Sequence, residues 1–217
     1  TVKNSNIHHN YIHDTPKYAL RFDAPGGSPG LAGQYGKMHH NIAVRTNGIM
    51  VKGNHHYICH NTTFSSKKNG LIILDEDNSN DSSYIFNNFS EKMSAHRANQ
   101  KSVPGICSNN WNGYDYPNIN FYSLMDTLNY LPLTNSSILD KGLIIPSIPH
   151  QIHNTGPDIG ALEFGVNPWF AGVNWNPIHY PWFLGCTDLT ALNYDSTVNI
   201  NDGSCIAKVY GCTDSMA

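Results

Sequence analysis

Four residues of this 217-residue chain carry the plainest chemical suggestion: Arg21, Asp23, Lys52 and Asp75. Ala19, Gly48 and Gly70 align as equivalent starts of short apolar strands. That alignment stacks Asp23 on Lys52, with Leu74 and Asp75 next, and Arg21 shares a face with Asp23 two residues away. Cations beside carboxylates suit two chemistries. Elimination needs a base to take the proton next to a carboxylate and a cation to stabilise the anion that forms. Lys52 or a nearby histidine serves as the base, and Arg21 or bound calcium as the cation. Glycosidic hydrolysis needs two carboxylates about 5 to 9 Å apart. Asp23 and Asp75, two repeats apart at roughly 9 to 10 Å by strand spacing, are the pair on offer. The same residues also read as a surface ladder of ion pairs, which contributes little energy.

Other candidates surround these four. His9, His40 and His60 form one column with Asn87, beside a second column of His8, His39, Cys59 and Phe86. Stacked imidazoles suit a transition metal, sugar hydroxyls or a plain polar stack. His13, Lys17, His55 and His56 lie near the strand ends, and His96-Arg97 forms either another basic edge or a loop pair. Trp111 and Tyr114, in NNWNGYDY, offer flat rings to the apolar face of a sugar, or serve as buried aromatics. Near the far end, Asp188, Asn193, Asp195, Asn199, Asn201 and Asp202 place oxygen donors within 15 residues. Asp188, Asp195, Asn201 and Asp202 are the candidate calcium ligands, although the spacing is not that of an EF-hand. The other reading is a loop whose Asp and Asn simply make turns.

A repeat positions these residues. Ile7-His8-His9-Asn10, Met38-His39-His40-Asn41, Ile58-Cys59-His60-Asn61 and Ile85-Phe86-Asn87-Asn88 each set an apolar residue three places before an asparagine, at intervals of 31, 20 and 27. A short alternating stretch follows each, and three are followed by a second apolar strand. Strands of three to five residues at this spacing cannot bury their apolar side alone, so the repeats must stack. The expectation is an all-β, right-handed parallel β-helix over residues 1–165. An asparagine at every corner tolerates left-handed backbone and bonds along the stack. Insertions at Ala24–Lys37 and Glu76–Ser83 leave the stack as loops that wall a groove. From Ser90 the period fades, and residues 101–165 are expected to cap the open end. Residues 166–184, rich in Trp and Pro, read as a linker.

Composition excludes several classes. Thirteen Lys and Arg against sixteen Asp and Glu leave no basic excess for nucleic acid. No apolar run is long enough for a membrane span. Asparagine is about one residue in eight, with 18 Gly and 12 Pro, a composition of turns and short strands. GCTD occurs at Gly185–Asp188 and again at Gly211–Asp214. Cys186 and Cys205 are expected to pair across a short loop in a module over 185–210, and 211–217 to begin a second copy. The chain thus reads as part of a longer protein with further repeats. Such a bridge suits an oxidising compartment. Cys59 and Cys107 are expected to be free and buried.

The runs HHNYIHDTPKYALRFDAPGG, NGIMVKGNHHYICHNTTF and PDIGALEFG resemble right-handed parallel β-helix proteins of the secreted bacterial carbohydrate-active group. That group holds polysaccharide lyases, glycoside hydrolases and members with no known activity. GCTDLTALNYDSTVNINDGSC is similar to short tandem repeats of secreted Bacteroidetes proteins. The resemblance implies an extracellular or cell-surface protein, exported by a type IX route and acting on a polysaccharide. Lyase or hydrolase action on an acidic or sulfated glycan is the first expectation. A non-catalytic adhesive protein with the β-helix as a stiff scaffold is the alternative.

Overall fold

The computed structural model describes residues 3–23, 32–169, 184–196, 198, 200–201 and 203–208. The chain divides into two compact units, Thr1–Val173 and Asn174–Ala217.

The first unit is built of three-residue strands separated by corners. Successive rungs are β1 (Asn6–His8), β2 (Tyr11–His13), β3 (Leu20–Phe22); β4 (Lys37–His39), β5 (Ile42–Val44), β6 (Ile49–Val51); and β7 (Tyr57–Cys59), β8 (Thr62–Phe64), β9 (Leu71–Ile73). Then come β10 (Tyr84–Phe86), β11 (Phe89–Ser90), β12 (Met93–Ser94) and finally β13 (Ile106–Ser108), β14 (Trp111–Asn112). Every third strand pairs in parallel, giving three sheets: β1-β4-β7-β10-β13, β2-β5-β8-β11-β14 and β3-β6-β9-β12. This nearly all-β arrangement is compatible with the expected parallel β-helix.

The expected register is present. Ile7, Met38, Ile58 and Ile85 lie over one another, and Cys107 continues the column. Alternation along each strand turns these residues inward. Ile7, Met38, Ile58 and Ile85 join Phe22, Ala43, Ile49, Val51, Leu71, Ile73 and Met93 in one core. Full burial of each large aliphatic side chain is worth about 1.5 to 3 kcal/mol.

Asparagines hold the first corner. Asn10, Asn41, Asn61 and Asn88 each donate from Nδ2 to the Oδ1 of the next asparagine at 2.9 Å, ending on Asn110. The backbone N–H groups of Asn41 and Asn61 also donate to the next Oδ1, at 3.2 and 3.1 Å. Two details differ from the sequence reading. The left-handed residue is the one before the ladder asparagine: His9, His40, His60, Asn87 and Asn109 have φ between 51 and 57°. The period also does not end at Ser90. Asn110 is a fifth rung, hidden because its inward residue is Cys107 and because residues 95–105 intervene.

Residues 121–169 lie along the flank of the stack. Ile42, Val44, Phe64, Phe89 and Trp111, on the outer side of the second sheet, pack against Phe121, Leu124, Met125, Ile138, Ile159 and Trp169. The reason is the apolar outer face of that sheet, which would otherwise meet water. The end of the stack instead holds a depression of about 800 Å³ lined by Met93, Val103, Cys107, Asn110 and Asn112. Cys107 is therefore exposed, not buried as expected, while Cys59 is buried; both are free.

In the second unit, β15 (Leu184–Gly185) pairs in parallel with β16 (Ile200–Asn201), and Cys186 is bonded to Cys205. Most of the expected linker and the start of the second GCTD copy lie outside the described residues. No helix among the described residues is long and apolar enough to cross a membrane.

The ladder can be tested by position. Asn61→Ala strands the Asn41 amide donors and Met38 O in the interior. At about 1 to 3 kcal/mol per unsatisfied group, a loss above about 3 kcal/mol is expected. Asn10→Ala, on the half-buried first rung, should cost about 1 kcal/mol. Urea unfolding of both variants measures the difference; equal losses would show that the ladder does not set the register.

Candidate functional site

The third sheet brings the predicted charges together on its outer side. Residues that follow β3 and β6 in register are Asp23 and Lys52, as the alignment required. Lys52 Nζ lies 3.5 Å from Asp23 Oδ1 and 3.9 Å from Glu76 Oε2, with its side chain only 5% exposed. Arg21 pairs with Asp23, and Arg97 Nη1 donates to Glu76 Oε1 at 2.7 Å. That hydrogen bond holds the Glu76 carboxyl below its usual range and raises Arg97. Below these charges lies an apolar floor of Met50, Ile72 and Leu74, packed against Tyr18. Arg21 and Lys68 approach the Tyr18 ring at 5.3 and 5.8 Å from its centroid.

Asp75 is not the second carboxylate beside Lys52. It pairs with Lys101, and Glu76 takes the expected place. The cause is local: a single 3-10 turn over Glu76–Asn78, with Asp77 at φ 50°, redirects the chain as it leaves β9. Arithmetic along a strand stops being valid there. An acidic residue at the start of a polar insertion was the available signal. The first insertion is described only from residue 32, so most of that expected wall lies outside the described residues. Cavities among the described residues lie at the end of the stack and beside Trp111, Tyr116, Ile138 and Ile159.

The histidine columns stack as expected but are largely enclosed. His9 and His40 rings are 5.1 Å apart and 3° from parallel; His40 and His60 are 4.7 Å and 9°. His60 is buried beneath the flank segment. Gly160 O accepts from its Nδ1 at 3.2 Å, and Asn87 Nδ2 donates to its Nε2 at 2.8 Å, so the ring is neutral with one tautomer. Burial lowers His60 and His39 to about 3 and His9 to about 4, and puts His40 well below 6.5. His40 and His60 thus present no surface to a polymer, which corrects their expected contact with substrate; His9 is half-buried.

His56 is also interior. Its Nδ1 accepts from Gly36 N at 3.0 Å, its Nε2 lies 3.0 Å from Lys52 O, and burial lowers it to about 4. Gly53, at φ 96°, makes room for it: a Cβ there would lie 2.7 Å from His56 Nε2 and 2.0 Å from Gly33 O. Trp111 is buried against Phe89 and Phe121, so it offers no ring to a sugar. Tyr114 is half-buried and donates from its hydroxyl to Asn69 Oδ1 at 2.7 Å.

In the second unit, Asp188 Oδ1 accepts from Thr190 N and Oγ1 at 2.8 and 2.7 Å. The backbone N–H of Asp195 donates to Cys186 O at 3.2 Å. The Asn201 side chain and Asp202 lie outside the described residues. Among the described residues no group of three or more His, Cys, Asp or Glu side chains is gathered to hold a metal. Asp188 closes a turn.

Two outcomes follow. Lys52→Met leaves Asp23 and Glu76 without the enclosed ammonium and should cost about 1 to 3 kcal/mol by urea unfolding. No loss would mean that the ammonium is energetically idle. The histidines set the pH dependence. Their folded pKa values lie below the ordinary 6.5, so the unfolded chain binds more protons, and stability falls as pH drops from 6.5 towards 3. Glu163 acts oppositely. Burial raises it to about 7, so its contribution is present below pH 4.5 and lost by pH 7. The lowered imidazoles of His9, His39, His40, His56, His60 and His150 outweigh the raised carboxyls of Asp158 and Glu163, so the melting temperature should fall from pH 6.5 to pH 4. A flat profile would contradict the enclosed histidine column.

Comparison with protein-family models, with curated proteins and with solved structures finds no match to this chain.

Proposed function

We propose that the first unit is a right-handed parallel β-helix and that the outer face of its third sheet acts on an acidic or sulfated polysaccharide. Right-handedness is the near-universal hand of parallel crossovers. The observation that carries the functional reading is Lys52 Nζ, enclosed between Asp23 and Glu76 and flanked by Arg21 and Arg97. A sheet face with an apolar floor and a cationic rim suits a long anionic chain. In elimination, the Asp23 or Glu76 carboxylate takes the proton next to a uronate carboxylate, and the Lys52 ammonium with Arg21 or Arg97 neutralises the resulting anion. In hydrolysis, Asp23 and Glu76 are the carboxylate pair, and Lys52 keeps the two apart in charge. The disulfide in the second unit suits an extracellular or cell-surface protein exported into an oxidising space.

One observation favours the non-catalytic reading. The charges of the patch are matched with one another: Arg21 with Asp23, Lys52 with Asp23 and Glu76, Arg97 with Glu76, and Lys101 with Asp75. Matched pairs on a stiff stack fit an adhesive scaffold that binds a polymer without cutting it.

Incubation with a panel of uronate-containing, sulfated and neutral polysaccharides separates the readings. Growth of unsaturated-uronate absorbance identifies elimination, and new reducing ends without it identify hydrolysis. Lys52→Met and Asp23→Asn should each reduce either signal at least 100-fold. Binding without product supports the scaffold, and neither binding nor product removes the polysaccharide reading.

A further inference from the structure

We propose that the His8–His9 pair binds a divalent transition-metal ion that favours a tetragonal field of nitrogen and oxygen, copper(II) foremost. Adjacent residues of a strand normally point to opposite sides. Here His8 closes β1 and His9 turns into the left-handed region at φ 54°, and the corner swings both imidazoles together. Their Nδ1 atoms are 2.7 Å apart. The next rung repeats the device with His39 and His40 at 2.9 Å. The rings of His8 and His39 stack at 5.0 Å and 2°, so each rung holds the other in place.

This spacing selects a geometry. With metal–nitrogen bonds of about 2.0 Å, two ligands at right angles lie about 2.8 Å apart, whereas a tetrahedral ion needs about 3.3 Å. Copper(II) prefers the right-angled edge and stands highest in affinity for nitrogen donors; zinc prefers the wider one. Without metal, one Nδ1–H bridges to the other Nδ1. Metal entry displaces that proton, which the donor ring regains at Nε2, so the neutral pair releases none. His8 is exposed and His9 half-buried, which leaves the pair within reach of solvent, while His39 and His40 are enclosed. The edge of the Trp169 ring borders His9, with ring centroids 5.1 Å apart. Water completes the coordination.

The fold itself supplies the control variant. The fifth rung carries Ser108-Asn109 at the equivalent positions, and Asn109 adopts the same left-handed backbone at φ 51°. The double variant His8→Ser with His9→Asn should therefore keep the fold, which circular dichroism and melting verify. The full chain is titrated with copper sulfate in N-ethylmorpholine buffer, which does not chelate copper, and followed by electron paramagnetic resonance. One equivalent should give an axial signal split by two imidazole nitrogens, and zinc should compete at least tenfold more weakly. The double variant should lose that signal and at least tenfold in affinity, while His96→Ala should change neither. An unchanged signal in the double variant, no signal in the wild-type chain, or tighter binding of zinc overturns the proposal.

Discussion

A stacked asparagine amide satisfies several partners at once, and the register of the first unit depends on it. Strand hydrogen bonds cannot continue round a corner, so polar groups there need another source of bonds. Asn61 supplies them: Oδ1 accepts from Asn41 N and Nδ2, while Nδ2 donates to Met38 O and Asn88 Oδ1. A slip of one residue would break these bonds and turn Ile58 and its column outward. The Asp23–Lys52 contact and the histidine columns follow from that register, because each is a set of residues at one position of successive rungs.

The flank segment then makes equivalent positions unequal. His9, His40 and His60 share backbone conformation and ring orientation, yet His9 is half-buried while His60 is closed in by Gly160 and Asn87. The second sheet causes this asymmetry. Its outward residues are apolar, and covering Phe64, Phe89 and Trp111 draws residues 121–169 along the side of the stack. Burying imidazoles costs their charged form, so the column is held neutral. A repeat that began as a uniform ladder ends as a graded series of environments.

The third sheet shows the opposite balance. Its outward Met50 and Ile72 are covered near Tyr18, and the charges gather where the strands end. An ammonium as enclosed as that of Lys52 is tolerable only with anions beside it, since desolvation of an unpaired cation is costly. Asp23 comes from the rung before, and Glu76 from the turn after the next strand. Two strands and one insertion therefore build the pair of contacts, and the insertion gives the patch its difference from a plain surface ladder.

By itself, the sequence determined the periodic part. The quartets ending in Asn10, Asn41, Asn61 and Asn88 revealed the rungs, the inward column and the Asp23–Lys52 juxtaposition, because strand register depends on local spacing. It also determined the Cys186–Cys205 pairing, from two cysteines bracketing one short loop. Only the tertiary structure decided what breaks the period. The path of residues 121–169, the burial of His40, His60, His56 and Trp111, the fifth rung through Cys107 and the arrival of Glu76 instead of Asp75 all depend on long-range packing. The physical reason is common to them: a sheet's outer face must be covered by whatever apolar segment can reach it, and one chain's spacing does not say which segment that is.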